Sequence, residues 1–412
     1  MKNYWDKSNI YDSFNRLYNY VIKHDYTGID VFDGLNSKLF KDTPLYKSKL
    51  FRLALIQFCK RSPVNFRKLL LVSPGFNPKA GALFLLGNLN MYKATNDDQY
   101  KNEAERLFYK LKETHIHRYK GISWGYNFEW QARAFFVPID TPNIVTTVCV
   151  GKALLEYYNI FQDKESLELA VQAAEFILNE MIKFEDENKL CFGYIPEEDA
   201  EVHNANLLAA SFLSSLNQYI KIPDLDKKII KSLNFSISDI NKDGSWPYGT
   251  KPFHRWVDNF HTAFNIESLI NIKENLNLID LTRVIDKVTD FYFDELFTNE
   301  GMPKYYNNNL YPVDIHVIAE AIILINRLKL FKITNNQEKI AKIEKKLLEL
   351  INVFQDKKGY FYYQKGKYFW NKTPYIRWAQ AWMFYALSDI ILFEKLYSNN
   401  PNELSQTQVY NL

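Results

Sequence analysis

Aspartate and histidine side chains occur in pairs at the starts of two predicted helices. Asp258 and His261 lie three residues apart, and Asp314 and His316 lie two apart at a later helix start. A carboxylate three residues from an imidazole can face the same way on a helix and hold the tautomer of the ring. Such pairs favour acid/base chemistry, with an aspartate and a histidine as proton donor and acceptor. Each aspartate can also serve as an ordinary N-cap, so capping remains the alternative.

A third helix start carries His203 and Asn204, which could bind a ligand or only cap the helix. Four of the seven histidines therefore occur at equivalent places in successive segments: His203, His254, His261 and His316. Metal binding would also explain histidines near one site. The chain has no HExxH, no CxxC and no histidine pair at i and i+4, so the sequence predicts neither a metal nor a cofactor.

Two arginines lie close to these segments. Arg377 opens the last helix together with Trp378 and Gln380, and Arg255 precedes the helix start at Asp258. A guanidinium can bind a carboxylate or phosphate through two parallel hydrogen bonds. The two arginines predict a sugar acid or a phosphorylated substrate, with structural ion pairs to Asp or Glu as the alternative.

A short segment rich in aromatic residues, which we call a strip, precedes these helix starts. The strips complete the candidate binding site. Tyrosine and tryptophan combine an apolar face with a polar tip, which suits sugar-binding clefts. The strip residues predicted to contact a substrate are Trp124, Tyr126, Trp130, Gln131, Arg133, Tyr194 and Tyr248. Packing inside the loops is the alternative for the same residues.

The strips also reveal an internal repeat. Aligned tyrosines occur at Tyr194, Tyr248, Tyr305 and Tyr362, which are 54, 57 and 57 residues apart. A fixed period indicates one supersecondary unit that is stacked several times. This period is long enough for two helices and a loop.

The order of helices within each unit predicts the fold. The first helix is apolar and follows a cap, as at Asn77 before Pro78, and the second helix is more charged. Six first helices can be counted, so we predict an all-α (α/α)6 toroid of stacked helical hairpins with short β-hairpins in its loops. An open solenoid would show the same pattern. We expect residues 1–73 to form an N-terminal helical extension packed on the toroid, residues 74–396 the toroid, and residues 397–412 a disordered tail.

Composition limits the partners and the cellular compartment that can be expected for this chain. The chain has 412 residues, 47% of them hydrophobic, and a net charge of +3 from 51 basic and 48 acidic residues. This balance creates no field that would attract nucleic acid. Three cysteines without paired spacing fit a reducing compartment. The N-terminus lacks the apolar core of a secretion signal, and no apolar run reaches about 18–20 residues, so we expect a cytoplasmic protein without a membrane span.

The motifs of several enzyme classes are missing. The chain has no P-loop, no GxGxxG after a strand and no GxSxG nucleophile elbow. We therefore expect neither nucleotide-dependent nor serine-hydrolase chemistry.

Two stretches resemble known toroid families. The loop NKDGSW at 241–246 is similar to a loop motif of terpenoid cyclases and prenyltransferases, without their DxDD motif or Asp-x-Cys zinc set. A wider likeness over residues 123–387 includes TPN at 141–143, DNFH at 258–261 and RWAQAW at 377–382. There the chain resembles bacterial toroid proteins of surface-polysaccharide biosynthesis clusters. Those proteins are similar to the C-terminal helical domain of glucuronyl C5-epimerases and to six-hairpin glycosidases, which implies a toroid that handles glycans.

The sequence as a whole predicts a carbohydrate-active protein. Its expected substrate is an acidic oligosaccharide or glycolipid-linked sugar, and the expected reaction is acid/base chemistry of a hydrolase, lyase or epimerase. A non-catalytic glycan-binding or scaffold protein and an isoprenoid-cyclase-like toroid are the alternatives. All three require segments far apart in the chain to meet at one mouth, which helix N-termini would surround.

Overall fold

The computed structural model describes residues 7–131, 136–333 and 337–399. Arg133 and residues 400–412 of the predicted tail lie outside the described residues. The described ranges contain thirteen α-helices, joined by loops that hold nine strands of two to four residues. None of these helices combines the length and the apolar character that crossing a bilayer requires.

The helices follow one another with short connections along most of the chain. They are α1 (Lys7–Lys23), α2 (Lys49–Arg61), α3 (Pro78–Thr95), α4 (Asp98–Glu113), α5 (Ile144–Phe161), α6 (Lys164–Glu180), α7 (His203–Leu216), α8 (Leu225–Ile237), α9 (Asn259–Leu276), α10 (Leu281–Glu295), α11 (Ile315–Leu330), α12 (Gln337–Phe354) and α13 (Ala381–Asn399).

Six of these helices form a closed inner ring. From α3 onward, each odd-numbered helix packs against the next, and α13 packs against α3 as well as α11. An open solenoid would leave α3 and α13 apart. The predicted (α/α)6 toroid is therefore confirmed.

Burial separates the inner layer from the outer layer. Fifteen of the sixteen residues of α11 are buried, against seven of the eighteen residues of its outer partner α12. A helix that is apolar all round needs neighbours on every side, whereas one apolar stripe needs cover on one side only. The outer partners of α3 to α11 follow them in the chain, but α13 is covered by α1. The N-terminal helix thus occupies the outer place of the sixth hairpin.

Short antiparallel strands occur in the loops, and the pairs whose strands are close in sequence are β-hairpins as predicted. β1 (Thr27–Gly28) pairs with β2 (Gly75–Phe76), β3 (Trp130–Gln131) with β4 (Phe136–Val137), and β5 (Ile182–Glu185) with β6 (Leu190–Phe192). β7 (Val313–Asp314), β8 (Gln364–Lys365) and β9 (Trp370–Asn371) form one sheet with β8 in the centre.

Four inner helices begin at a side chain that accepts hydrogen bonds from the first turn. These N-caps are Asn77, Asn143, Asp258 and Asp314. Pro78 occupies the first helical position after its cap, as predicted. The last inner helix lacks such a cap. The backbone stays extended through Tyr375, and a π-helical turn at Ile376–Gln380 then leads into α13.

A repeated backbone hydrogen bond joins four of the inner helices to the strip of the next hairpin. The N–H of Ile144 donates to Tyr194, that of His203 to Tyr248, that of Asn259 to Tyr305 and that of Ile315 to Tyr363, with N···O distances of 3.0 to 3.1 Å. The N–H of Ile376 continues the series by donating to the carbonyl of Ile29 at 2.9 Å. The repeat therefore closes on the N-terminal segment. The acceptor in the fourth bond of the series is Tyr363, which lies one residue beyond Tyr362, the tyrosine that aligns in the sequence.

Glycines with positive φ bring the strips into contact with the outer helices. They are Gly121, Gly244, Gly301 and Gly359. A Cβ on any of them would lie 2.2 to 2.9 Å from a backbone atom of α6, α10, α12 or α1, respectively. The same close approach at all four places puts α1 in the position that the other outer helices occupy. Only glycine accepts both the backbone conformation and the contact.

We predict that Gly359→Ala destabilises the protein. The residue has a φ of +97°, and an added Cβ would lie 2.2 Å from the carbonyl oxygen of Arg16. The backbone conformation alone costs about 1–3 kcal/mol for a residue with a side chain. The free energy of unfolding in denaturant measures the effect. Gly366→Ala is the control, because its φ lies outside the left-handed region and the nearest atom is 3.2 Å away; equal losses in both variants would contradict the prediction.

Candidate active site

The inner helices begin at the same end of the toroid, which we call the first mouth. The residues two places after successive N-caps share one register: Lys79, Val145, Asn204, Phe260 and His316. This register faces the axis, because the amine of Lys79 on α3 lies 5.7 Å from the ring centre of Phe264 on α9. Side chains from helices far apart in sequence therefore meet below the first mouth.

His316 is held between two aromatic rings. Its imidazole stacks on Phe260 and Trp382, with centroid distances of 4.7 and 4.6 Å. The side chain is buried, and neither ring nitrogen has a hydrogen-bond partner among the described residues. Burial, followed by the positive charges of Lys79 and Arg377, lowers the pKa of His316 well below its ordinary value. The imidazole is therefore neutral at pH 7 and has a nitrogen available to accept a proton.

His261 forms a pair with Asp258. Its Nδ1 donates to the two carboxylate oxygens at 3.0 and 2.8 Å, and the same carboxylate accepts the backbone N–H of His261 at 3.0 Å. Asp258 thus caps α9 and orients the imidazole. With the proton on Nδ1, Nε2 carries the lone pair. The ring packs on Phe260 and Tyr248 at centroid distances of 4.1 and 4.6 Å, so both histidines adjoin Phe260.

Asp314 is buried and orients Trp378. Its carboxylate accepts the indole N–H of Trp378 at 3.0 Å, the backbone N–H of His316 at 2.8 Å and the side-chain amide of Gln364. Burial raises the pKa of Asp314 to about 6, although these hydrogen bonds act in the opposite direction. The ring of Trp378 meets that of His316 edge-on at 4.8 Å. Asp314 therefore helps to build one wall around His316.

Arg377 binds an aspartate of the chain itself. Its Nε and Nη2 donate to the two carboxylate oxygens of Asp30 at 2.8 and 2.7 Å, and both side chains are 4% exposed. The guanidinium also lies over the ring of Tyr126 at 4.8 Å, and the hydroxyl of Tyr126 is 3.2 Å from that of Tyr194. Burial raises the pKa of Tyr194 well above its ordinary value. The edge of Arg377 that was expected to hold an acidic substrate group is therefore occupied by Asp30.

Most of the residues singled out in the sequence meet at the first mouth. They are Tyr126, Tyr194, Asn204, Tyr248, Asp258, His261, Asp314, His316, Arg377 and Trp378. Trp130 adjoins Tyr194 there, with ring centroids 6.3 Å apart. Five other predicted site residues, two of them with ionisable side chains, make different contacts.

His203 and Arg255 meet away from the first mouth. The imidazole of His203 lies between α7 and α8, where Nε2 is 2.8 Å from Asp239 and Nδ1 is 3.2 Å from the hydroxyl of Ser236. Arg255 donates to the same oxygen of Asp239. Burial acts to raise the pKa of Asp239, but the hydrogen bonds from His203 and Arg255 outweigh it and lower the pKa. His203 is the first residue of its helix. Asn259, the first residue of α9, likewise contacts the outer helix of its own hairpin.

Three further predicted site residues form hydrogen bonds that hold loops and helices in place. Gln380 accepts the backbone N–H of Phe361 and donates to its carbonyl, both at 2.8 Å. Trp124 is fully buried, and its indole N–H donates to the carbonyl of Leu111 at 2.8 Å. Gln131 accepts a hydrogen bond from a guanidinium of α2 at 2.9 Å. In these contacts the three side chains serve the packing of the toroid.

The structure adds residues that the sequence analysis did not single out. Lys79 is buried with its amine 5.1 Å above the ring of Trp382, and burial lowers its pKa to about 8. Aligning the N-caps would have placed Lys79 in the register of His316. Glu320 lies one helical turn further along α11 and could have been found in the same way. Asp30 carries no such signal, because it lies 347 residues from Arg377 in the sequence.

Several buried polar atoms without partners lie along the axis. Besides the nitrogens of His316, they include Asn204 Oδ1, Trp382 Nε1 and both carboxyl oxygens of Glu320. Folded proteins pair most buried polar atoms, because each unpaired one costs about 1–3 kcal/mol. A polar ligand that enters the first mouth would supply partners. Within the described ranges, no three His, Cys, Asp or Glu side chains gather as metal ligands would.

The toroid is similar to several solved structures. Cellobiose 2-epimerase from Bacillus thermoamylovorans B4167 is matched over 76% of this chain and 87% of that one, with a TM-score of 0.58 and 17% identity. An inactive α-1,6-mannanase variant from Salegentibacter sp. HEL1_6, in complex with α-1,6-mannotriose, is matched over 77% and 90%, with a TM-score of 0.55 and 13% identity. A polysaccharide lyase is matched over 79% and 91%, with a TM-score of 0.56 and 12% identity.

At these identities the comparisons establish the fold. They agree with the resemblance to six-hairpin enzymes that the sequence suggested. A scan against protein-family models and a search of curated proteins gave no match for this chain.

We predict that Asp30→Asn strongly destabilises the protein, because it leaves the guanidinium of Arg377 buried without its counter-charge. Removing one partner of a buried ion pair costs about 3–5 kcal/mol. Asp25→Asn is the matched control, since Asp25 is exposed and binds Arg106 and Lys110 at the surface. Exposed pairs contribute about 0–1 kcal/mol. Denaturant unfolding of both variants measures the difference in the free energy of unfolding. Similar losses in the two variants would show that the buried pair at Arg377 stabilises the protein no more than an exposed pair.

Proposed function

We propose that this protein is a sugar epimerase that moves a proton at the carbon next to the carbonyl group of a reducing sugar. The observation that carries this proposal is His316, a buried neutral imidazole with two unpartnered nitrogens, beside the His261–Asp258 pair. Epimerisation needs one group to take a proton from carbon and a group that returns one to the opposite face. Two imidazoles next to Phe260 meet this requirement.

The two histidines differ in a way that suits separate roles. His316 has its pKa lowered by burial and by nearby cations, so it stays unprotonated at neutral pH. His261 is oriented by Asp258, which accepts the hydrogen bond of Nδ1 and leaves Nε2 to face the substrate. The cation of Lys79, on the same register as His316, would stabilise negative charge on the carbonyl oxygen. Aromatic rings around both histidines exclude water and offer stacking faces for the sugar.

The pairing of the arginines favours a neutral sugar. Arg377 is occupied by Asp30 and Arg255 by Asp239. At the first mouth an acidic substrate would have to displace Asp30 from Arg377, because Arg255 lies away from that mouth. We therefore propose an uncharged oligosaccharide or glycolipid-linked sugar in place of the acidic one expected from the two arginines, and we keep surface-polysaccharide metabolism as the proposed setting.

The solved structures support a reaction on carbohydrate. The epimerase among them acts on cellobiose by name, and the mannanase variant holds mannotriose. Hydrolysis would use two carboxyl groups that flank the scissile bond. At this mouth Asp258 is engaged by His261 and Asp314 by Trp378, which favours epimerisation over hydrolysis. The charged and polar axis, with Lys79 in its wall, argues against an isoprenoid substrate.

The direct test is incubation of the protein with cellobiose and with mannobiose in D2O, followed by proton NMR. Epimerisation exchanges the hydrogen at C2 for deuterium and yields the second epimer. New reducing ends without exchange would show a hydrolase, and an unsaturated product would show a lyase. Binding without any chemical change would show a glycan-binding protein. Each of these last three results would overturn the proposal.

We predict that His316→Gln and His261→Gln each lower the rate of C2 exchange by about 10²–10⁴-fold, the usual contribution of a general acid or base. Both substitutions keep a polar side chain but remove the ring stacking, so rates are compared in variants that thermal unfolding shows to be folded. His24→Gln is the control, because His24 is exposed on the outer surface and contacts the backbone of its own helix. An unchanged rate in His316→Gln would contradict its assignment as an acid/base group.

A further inference from the structure

Exposed apolar side chains gather in the segment between β1 and β2. Among the described residues, all five exposed leucines belong to it: Leu39, Leu45, Leu50, Leu69 and Leu71. Phe58 and Val64 of the same segment are exposed as well. One exposed leucine is ordinary, but apolar side chains that gather at one place mark a surface that another molecule covers.

The helix of this segment, α2, has two apolar faces. One face buries Leu55, Ile56 and Cys59 in a small core that is separate from the core of the toroid. The other face presents Leu50 and Phe58, which lie eight residues apart and therefore on the same side of the helix. Leu50 is 78% exposed. A helix with one buried apolar face gains nothing in water from a second one, so the second face needs another explanation.

The loop after α2 holds its leucines outward in a fixed backbone. Buried Arg67 anchors the loop through its hydrogen bonds, and the carbonyl of Leu70 accepts the hydroxyl of Ser37 at 2.6 Å. Leu69 and Leu71, on either side of that carbonyl, are both exposed, Leu69 by 72%. Their exposure is therefore built into the fold.

The tip of the β8–β9 hairpin extends the same surface. Tyr368 and Phe369 at this tip are 84% and 54% exposed. The side-chain amide of Asn371 on β9 donates to the carbonyl of Ser62 at 2.9 Å, which joins the hairpin to the loop after α2. We call the exposed apolar side chains of residues 39–71 and of this tip the leucine face.

The leucine face adjoins the first mouth. The amine of Lys60 on α2 lies 5.0 Å from the ring centre of Phe32, and that ring meets Trp378 at a centroid distance of 5.9 Å. Trp378 belongs to the wall around His316. A molecule that covers the leucine face would therefore lie beside the entrance to the candidate active site.

Positive charge surrounds the leucine face. Residues 38–71 contain nine basic side chains and one acidic side chain, Asp42, and residues 365–372 contain three lysines and no acidic residue. Nine of these twelve basic side chains are exposed. In the rest of the chain acidic residues outnumber basic ones, so the basic excess is local.

This combination of leucines and cations selects one kind of partner. A second copy of the chain, joined through a two-fold axis, would bring the same cations against one another. Nucleic acid would pair with the cations but would leave the leucines in a polar, wet interface. A bilayer with anionic lipids offers phosphate groups to the cations and an apolar layer beneath them to the leucines.

We propose that the leucine face docks this protein on the surface of a bilayer that contains anionic lipids. The apolar side chains enter the boundary between headgroups and acyl chains, and the surrounding cations bind lipid phosphates. Docking would hold the first mouth at the bilayer surface, where the sugar of a glycolipid is presented. This last step rests on the proposed function, and it selects the glycolipid-linked sugar over the free oligosaccharide as the substrate.

Sedimentation with vesicles tests the docking without any sugar. The wild-type protein should bind vesicles of equal parts phosphatidylcholine and phosphatidylglycerol and should not bind vesicles of phosphatidylcholine alone. Added salt should weaken the binding, because it screens the attraction between the lysines and the lipid phosphates. Equal binding to both kinds of vesicle, or binding to neither, would overturn the proposal.

Substitution of exposed leucines locates the contact. Leu50→Ser combined with Leu69→Ser should weaken vesicle binding by about 10²-fold, since burial of each leucine contributes about tenfold or more. The matched control combines Ile279→Ser with Ile230→Ser. Ile279 is 81% exposed in the loop after α9, at the opposite end of the toroid, and Ile230 is exposed on the outer helix α8. The control should bind as the wild type does, and equal losses in both double variants would contradict the assignment.

Substitution of lysines tests the electrostatic part. Lys47→Gln combined with Lys49→Gln should weaken binding by about tenfold or more, at roughly fivefold for each cation near an anionic surface. Lys345→Gln on the outer helix α12 is the control and should have no effect. All of these side chains are exposed, so thermal unfolding should show every variant folded.

The outcomes separate this inference from the proposed function. A dimer in analytical ultracentrifugation that the leucine substitutions disperse would show that a second copy covers the face, and it would overturn the docking. Vesicle binding without C2 exchange on any sugar would leave the docking standing and the proposed function refuted. If both hold, the leucine substitutions should slow exchange on a disaccharide linked to a lipid in vesicles and leave the rate on free cellobiose unchanged.

Discussion

Closure of the inner ring is the constraint on which the rest of this structure depends. Each inner helix leaves its first N–H groups without partners in its own backbone. In five of the six inner helices, one such N–H donates a hydrogen bond to a backbone carbonyl outside the helix. Four of these carbonyls belong to the strip of the next hairpin, and the fifth belongs to Ile29 near the N-terminus. The buried pair of Arg377 with Asp30 lies at the same seam. A further buried arginine, Arg67, binds Asp33 and the hydroxyl of Tyr375 there.

Closure explains why the first mouth can hold groups that would be unfavourable elsewhere. A ring of packed helices is rigid, so it can keep His316 in place although its two ring nitrogens have no partners in the described structure. Each such atom costs free energy that the surrounding packing must offset. In our account this cost is the condition for function, because the unpaired nitrogens of His316 remain available to a sugar that enters the first mouth.

The fold could be predicted from the sequence because its determinants are local. The cap at Asn77, the proline after it and the repeated strips are short patterns that also act locally in the structure. The count of six inner helices followed from them. The outer partner of the last inner helix did not, because α1 precedes the whole toroid and packs on α13 only through the closure.

The site was harder to predict, since helix phase decides which side chain faces the axis. His203 and His316 looked alike in the sequence, as histidines at helix starts. His203 is one register earlier, and this single step turns its ring toward Asp239 and the outer helix. Arg377 could be placed at the mouth, but its partner Asp30 could not be inferred, because nothing local links two residues 347 positions apart. Periodicity thus predicts where a site lies better than it predicts what each residue does there.

The central claim is that His261 and His316 share one sugar-binding mouth, whereas the other histidines do not. NMR spectra of histidine-labelled protein, recorded during a titration with cellobiose, test this claim directly once the signals are assigned by substitution. We expect the side-chain signals of His261 and His316 to shift together and to saturate at the same sugar concentration, while those of His24 and His203 stay in place. Shifts confined to His203, or no shift at His316 when the sugar binds, would contradict the account.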